Sequence, residues 1–293
     1  MEQEKIIFSL SANKRLANEV SSLLNIPLGI AEIEHFEDGE LIVRCKSDVK
    51  NKTVYIIQST SAPATQHIFE ILIFADALKT GGAKEIILVI PYFGYSRQDR
   101  IAKEGEPVSA RVVANAFESN GIKKIITVDV HNPVIEEFFN IEFVNLSPSK
   151  LFADTLKQKG LDNNVVIVTP DHGSNSRANE LSKYLNNASI AFIEKHRPAP
   201  NKSKVISIQG EFEGKSCVII DDIIDTGGTI NNATEVLLSK GAKEVYVVAT
   251  HAVCRENVLD KRIKEIIVTD SIEKEIDGID FVSLSKDIAD AIK

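Results

Sequence analysis

The feature that most constrains this chain is a rhythm: short, almost wholly apolar runs alternate with amphipathic stretches of helical period. Val54-Tyr55-Ile56-Ile57 precedes a helical pattern near 66–79. Ile86-Ile87-Leu88-Val89-Ile90 precedes a polar loop and a helical pattern near 109–119, and Ile125-Ile126-Thr127-Val128 follows. The second half repeats the rhythm with Val165-Val166-Ile167-Val168, Cys217-Val218-Ile219-Ile220 and Val245-Tyr246-Val247-Val248. A strand that is apolar on both faces must be covered on both faces. Such strands separated by helices predict an α/β fold with mainly parallel sheets flanked by helices.

The rhythm also echoes itself. Gly82-Ala83-Lys84-Glu85-Ile86-Ile87-Leu88-Val89 matches Gly241-Ala242-Lys243-Glu244-Val245-Tyr246-Val247-Val248. Upstream, Lys52-Thr53-Val54-Tyr55-Ile56-Ile57 matches Lys215-Ser216-Cys217-Val218-Ile219-Ile220. A glycine and a lysine before a strand are a common helix stop, so one pair alone is weak. Two pairs in the same order favour a duplication. The turn signal at Asn145-Leu146-Ser147-Pro148 sets the expected seam. The expected domains are 1–146 and 147–293, with the last helix packed back on the first.

Composition removes several function classes. The net charge of −8 over 293 residues disfavours a general nucleic-acid binder. No apolar run approaches the ~20 residues that cross a membrane, and the charged start Met1-Glu2-Gln3-Glu4-Lys5 is unlike a signal peptide. The three cysteines, Cys45, Cys217 and Cys254, show no Cys-x-x-Cys spacing. They argue against a disulfide framework or a zinc site and favour a reducing cytoplasm. A phosphorylated substrate stays compatible, because backbone N–H groups, a few cations and a metal suffice to hold a phosphate.

The echo carries a chemical difference. After Ile57 comes Gln58-Ser59-Thr60-Ser61-Ala62-Pro63, whereas after Ile220 comes Asp221-Asp222-Ile223-Ile224-Asp225-Thr226-Gly227-Gly228-Thr229. Glycines let backbone approach a ligand closely, and N–H groups at a helix start, with the Thr226 and Thr229 hydroxyls, can hold a phosphate. Two adjacent carboxylates suit vicinal hydroxyls or a bridging metal. The bland alternative is an acidic helix N-cap, which does not need so many special residues in nine positions. The segment resembles the phosphoribosyl pyrophosphate-binding motif shared by phosphoribosyltransferases and ribose-phosphate pyrophosphokinases.

Further segments, in order, resemble the pyrophosphokinases. His35-Phe36-Glu37-Asp38-Gly39-Glu40 is similar to the family's Phe-x-Asp-Gly-Glu. The resemblance implies that Phe36 contacts adenine and that Asp38, Gly39 and Glu40 belong to the ATP site. The same residues also read as a hairpin turn. Pro91-Tyr92-Phe93-Gly94-Tyr95-Ser96-Arg97-Gln98-Asp99-Arg100 resembles the aromatic stretch ending in Arg-Gln-Asp, which implies ATP contacts for Arg97 and Gln98. Its alternative is an exposed loop with packed tyrosines. Val128-Asp129-Val130-His131 resembles Asp-Leu-His, whose histidine binds magnesium-ATP. From chemistry alone a lone histidine reads as a packing or capping group, since magnesium prefers oxygen. Thr169-Pro170-Asp171-His172-Gly173-Ser174-Asn175-Ser176-Arg177-Ala178 resembles Ser-Pro-Asp-x-Gly-Gly-x-x-Arg-Ala, with Ser174 in place of the second glycine. Asp171 would be a second magnesium contact, or else a helix cap. Glu194-Lys195-His196-Arg197-Pro198 resembles the Lys-x-Arg that heads a catalytic loop, with 198–204 as its lid. Lys195 and Arg197 would neutralise the transferring group, and Arg197 would also face ribose 5-phosphate. A solvated basic turn is the alternative.

The resemblance spans nearly the whole chain and implies two tandem phosphoribosyltransferase-like domains. ATP would lie on the first, with Phe36, Asp38, Gly39, Glu40, Arg97, Gln98 and His131. Ribose 5-phosphate would lie on the second, with Asp221, Asp222, Asp225, Thr226, Gly227, Gly228 and Thr229. It further implies Mg2+, transfer of pyrophosphate from ATP, a cytoplasmic enzyme of nucleotide biosynthesis, and dimers assembling to a homohexamer. Two departures stand out: the loop Ile101-Ala102-Lys103-Glu104-Gly105-Glu106 is more acidic than usual, and no serine-containing tail follows Ala291-Ile292-Lys293. The latter sets an expectation against control by phosphate and ADP. A phosphoribosyltransferase, or a catalytically silent regulatory subunit, are the competing functions. The first would lack the ATP segments, and the second would have lost the Lys-x-Arg or the acidic loop.

Overall fold

The computed structural model describes residues 4–196 and 205–293. The chain forms two compact units. One takes residues up to Leu146 together with Asp270–Glu273 and Ser283–Lys293; the other takes Ser147–Thr269 and Lys274–Val282.

The first unit runs β1 (Lys5–Ser9), α1 (Lys14–Leu24), β2 (Ala31–His35), β3 (Leu41–Cys45), β4 (Thr53–Ile57), α2 (Ala64–Thr80), β5 (Glu85–Ile90), α3 (Ser109–Ser119), β6 (Lys124–Val128) and β7 (Glu142–Leu146). Its sheet is parallel, in the order β1-β4-β5-β6-β7. All five residues of β4 are buried, because both faces are covered as the apolar run requires. Alternation divides them. Val54 and Ile56 join Ile6, Phe8, Ile86 and Leu88 in one core against Ile71, Phe74 and Leu78 of α2 and Phe117 of α3. Phe8 meets Phe74 edge-on at 5.0 Å. Each such buried side chain contributes about 1.5–3 kcal/mol. The strands β2 and β3 form a separate antiparallel hairpin, and β3 packs on α2.

The second unit runs α4 (Ser149–Gln158), β8 (Val165–Thr169), α5 (Asn175–Tyr184), β9 (Ser189–His196), β10 (Val205–Gln209), β11 (Ser216–Ile224), α6 (Gly228–Ser239), β12 (Glu244–Ala252), β13 (Glu265–Thr269) and β14 (Asp280–Val282). Its sheet has the order β10-β9-β8-β11-β12-β13-β14, parallel except for β10. Two cores flank it. Val166, Cys217, Ile219, Val245 and Val247 pack with Ile230 and Leu237 of α6, whereas Ile167, Val218, Ile220 and Val248 pack with Phe152 of α4 and Leu181 of α5. Odd and even positions go to opposite faces, the period of a pleated strand.

The internal echo reappears as register. Thr53 pairs with Glu85 across β4 and β5, and the echoed residues Ser216 and Glu244 pair in the same way across β11 and β12. Gln58 is therefore the positional counterpart of Asp221. The chain closes with α7 (Ser285–Ile292), which belongs to the first unit and packs on α1. Asp270 accepts the Leu284 N–H at 2.8 Å at the start of that helix, and Lys5 Nζ donates to the Ile292 carbonyl at 3.0 Å.

Candidate active site

The acidic segment begins inside a strand. Pairing of β11 with β8 ends at Ile219, but pairing with β12 continues through Asp221↔Ala249 to Ile224↔Ala252. Asp221 and Asp222 are thus strand residues, not the loop residues that their polarity suggested. Beyond Ile219 one edge of β11 faces the turn between β8 and α5. That is a crevice at the carboxyl end of a parallel sheet, where α/β folds hold ligands.

The turn is ordered by its own carboxylate. Asp171 Oδ1 accepts the Gly173 N–H at 2.9 Å, so this exposed side chain caps the short 3-10 turn His172–Ser174. The first turn of α5 then grips the acid pair. Ser174 Oγ donates to Asp221 Oδ1 at 3.0 Å, and the Asp222 N–H donates to the same oxygen at 3.0 Å. Three residues on, and so on the same helix face, Arg177 places Nη2 3.8 Å from Asp222 Oδ2 and donates through Nη1 to the Gly173 carbonyl at 3.2 Å. Neither Ser174 nor Arg177 was among the site residues expected from sequence. The legible signal was the serine standing where the resemblance has glycine.

Electrostatics mark the pair as costly. Burial pushes the Asp221 carboxyl well above the ordinary carboxylate range, and the nearby charges of Asp222 and Asp171 push the same way. A carboxyl–carboxyl hydrogen bond with Asp222 adds to this, and the Ser174 hydroxyl opposes it. Like charges held together at low exposure disfavour the ionised form and favour a bound cation, a proton or hydroxyl donors.

The rest of the segment leads into α6. Gly227, at φ 73°, occupies the left-handed region at the cap of α6. A Cβ there would lie 2.9 Å from the Val258 carbonyl oxygen, so only glycine fits. Asn231 secures that carbonyl through Nδ2 at 2.9 Å and accepts the Asp260 N–H at 2.8 Å. Thr226 and Gly228 are exposed, while Asp225 and Thr229 are half-buried. The first N–H groups of a helix lack intrahelical partners, which makes this end of α6 suited to a phosphate.

The residues expected on the ATP side lie in the first unit. Phe36, Asp38, Gly39 and Glu40 form the tip between β2 and β3: the Phe36 N–H donates to the Glu40 carbonyl at 2.8 Å, and the Glu40 N–H to Asp38 Oδ1 at 3.0 Å. The hairpin reading of these residues holds. Phe36 is 51% exposed, a high value for a side chain whose burial would be favourable. Gly39 and Glu40 border a cavity of about 820 Å³ with Phe69, Tyr95 and Val112. Phe36, Asp38, Arg97, Gln98 and His131 are not among its lining residues. Arg97, Gln98 and His131 are exposed at the carboxyl ends of β5 and β6. Gln98 Oε1 accepts from Ser109 Oγ at 2.6 Å, which ties this loop to α3. The acidic 101–106 loop has a local use for one of its carboxylates, since Glu106 accepts the N–H groups of Ala102 and Lys103.

Of the expected charge-neutralising pair, Lys195 is placed by its backbone in β9 opposite Ile206, and Arg197, like 198–204, lies outside the described residues. Among the described residues no group of three or more His, Cys, Asp or Glu side chains is arranged to hold a metal ion. Magnesium takes only one or two carboxylates, with water and substrate phosphates completing its shell, so the exposed Asp171 carboxylate fits it without such a cluster.

Comparison with known proteins decides the family. A model of the N-terminal domain of ribose phosphate pyrophosphokinase matches residues 5–121, and a model of the phosphoribosyl transferase domain matches residues 149–281. The ribose-phosphate pyrophosphokinases of Bacillus cereus and Corynebacterium ammoniagenes are each 43% identical to the chain, over 98% of its length and 92% of theirs. The chain belongs to the ribose-phosphate pyrophosphokinase family. The crystal structure of phosphoribosylpyrophosphate synthetase from Mycobacterium smegmatis superposes with a TM-score of 0.91 at 32% identity, covering 99% of this chain and 98% of that one. The expected architecture, two phosphoribosyltransferase-type units with mainly parallel sheets flanked by helices, is the one observed. Membership also places the sequence-level motifs within a family that spans both units.

Proposed function

We propose that this member of the family transfers pyrophosphate from magnesium-ATP to ribose 5-phosphate, giving 5-phosphoribosyl 1-pyrophosphate and AMP. One observation carries the reading: a chain 43% identical to named pyrophosphokinases over 98% of its length places the costly carboxylate pair Asp221–Asp222 at a strand end that leads into a glycine-capped helix. Asp221 and Asp222 take the ring hydroxyls, and Asp225, Thr226, Gly227, Gly228 and Thr229 take the 5-phosphate. ATP is held by Phe36, Asp38, Gly39, Glu40, Arg97, Gln98 and His131.

The anomeric hydroxyl attacks the β-phosphorus in line, its proton departs, and the bond to the AMP oxygen breaks. Such a transfer depends mostly on positioning and charge neutralisation. Lys195 and Arg197 neutralise the moving group, each worth several kcal/mol in a site closed to water. His131 on the ATP side and Asp171 on the sugar side would each contact magnesium brought with the substrate phosphates, and the metal would add further neutralisation. No helix among the described residues is long and apolar enough to cross a membrane, and the three cysteines are free, in keeping with a cytoplasmic enzyme. Assembly into dimers and a homohexamer belongs to the same proposal. It is supported by the exposed Phe69 and Val112 beside the apolar cavity and is read by sedimentation.

The test incubates the purified chain with magnesium, ATP and ribose 5-phosphate and quantifies AMP and the phosphoribosyl product by chromatography. Equal amounts of both, formed only with ribose 5-phosphate present, are expected. Tight binding of phosphoribosyl pyrophosphate without any AMP would replace this reading by a transferase or a silent subunit.

A further inference from the structure

The first turn of α5 contains a choice that the motif does not explain. Ser174 stands at the cap position of α5, where a serine ordinarily turns its oxygen to accept a helix N–H, and it makes no such bond. It is 1% exposed, so water does not satisfy its hydroxyl instead. The hydroxyl crosses to another strand and donates to Asp221 Oδ1 at 3.0 Å, 47 residues away in sequence. The same oxygen already accepts the Asp222 N–H. A carboxylate with one oxygen fixed by two donors has lost its freedom to rotate, and ligand contact falls to the other oxygen. Glycine, which the resemblance has at this place, offers no hydroxyl for that bond.

We propose that Ser174 is a positioning residue for the sugar: its hydroxyl locks the Asp221 carboxylate in the orientation that receives a ribose hydroxyl. The inference rests on the assignment of Asp221 to the ribose 5-phosphate site made above. Loss of one hydrogen bond to a carboxyl oxygen that keeps a second donor fits a moderate effect confined to one substrate. A serine that merely packed the start of α5 would alter stability, and with it the kinetics of both substrates.

Steady-state kinetics on the full-length chain separate these cases. Ser174→Ala is expected to raise KM for ribose 5-phosphate about tenfold, with kcat and KM for ATP within about twofold of the parent and the melting temperature little changed. In an Asp221→Asn background, itself raised in KM for ribose 5-phosphate, adding Ser174→Ala is expected to have almost no further effect. Should alanine at so buried a position yield no folded protein, Ser174→Gly serves in both backgrounds. Unchanged KM for ribose 5-phosphate, equal increases for both substrates, or full additivity with Asp221→Asn would each overturn the inference. If Asp221→Asn alone leaves that KM unchanged, the site assignment fails and the role of Ser174 falls with it. If Asp221→Asn raises it but Ser174→Ala does not, only the role of Ser174 fails.

Discussion

The segment after β4 and the end of β11 hold the same place in their sheets, since the order β1-β4-β5-β6-β7 recurs as β8-β11-β12-β13-β14, yet they treat their polar atoms in opposite ways. In the first unit Gln58, Ser59, Thr60 and Ser61 are all buried. Gln58 accepts the Ala12 N–H and donates to Glu70, and the Ser59 N–H donates to Asn13 Oδ1 while its hydroxyl donates to the Ser271 carbonyl. Thr60 Oγ1 accepts the Gly94 N–H. In the second unit the counterparts of Gln58 and Ser59 are the carboxylates Asp221, half-buried, and Asp222, buried, which repel each other. Buried polar atoms that satisfy one another stabilise a scaffold, whereas like charges left in conflict mark a place held in readiness for a ligand. On the proposed assignment, a duplicated framework uses one strand end as structure and the other as site.

The sharpest way to break this comparison is to neutralise the acid pair. Asp221→Asn with Asp222→Asn should lower kcat/KM for ribose 5-phosphate by about a thousandfold, roughly 4 kcal/mol, while the urea midpoint stays level or rises because repulsion is relieved. A fall in stability with activity retained would invert the roles of the two strand ends.

The mirror experiment is Glu70→Ala. Glu70 is fully buried and accepts from Ser11 Oγ at 2.6 Å, Gln58 Nε2 at 2.8 Å and Gln66 Nε2 at 3.0 Å. Removing it leaves buried donors unpaired and should cost about 3 kcal/mol in urea unfolding. KM for ribose 5-phosphate should not move.

Gly227→Ala sharpens the contrast at the glycine cap. The left-handed φ and the nearby Val258 carbonyl together should cost about 2 kcal/mol and weaken ribose 5-phosphate binding. Gly39→Ala has a left-handed φ of 90° but open space around it, and should cost about 1 kcal/mol with ribose 5-phosphate binding unchanged. Equal losses in both assays would show that strain at Gly227 is not specific to the site.

The smallest effect concerns pH. Burial raises the Asp270 carboxyl above its usual range, so the folded chain holds that proton where the unfolded chain has released it. Stability contributed here should therefore fall as pH rises from about 4 toward the raised folded value. Asp270→Asn should flatten that slope in thermal melts taken across the acid range.

Much of this was legible because it is local. Alternation and period located β4, β5, β11 and the helix Ser109–Ser119, and Asp-Gly announced the hairpin. The echo anticipated a register that only the sheet could display. What escaped depends on partners far apart in the chain. Asn13 donates to Ser271 across 258 residues, which draws Asp270–Glu273 back into the first unit. The grip of Ser174 and Arg177 on the acid pair joins α5 to β11, and no periodicity encodes which side chains meet there. Glu70 lies in a helix, and nothing in the sequence marks the donors that meet it from Ser11 and Gln58.

Hydrogen exchange with and without ribose 5-phosphate tests the division of labour most directly. The amides at 226–230, at the start of α6, should slow on binding, whereas those of Gln58, Ser59 and Thr60, already bonded within their own unit, should not change. Protection at 58–60 with none at 226–230 would contradict the assignment of the sugar phosphate to the acidic strand end.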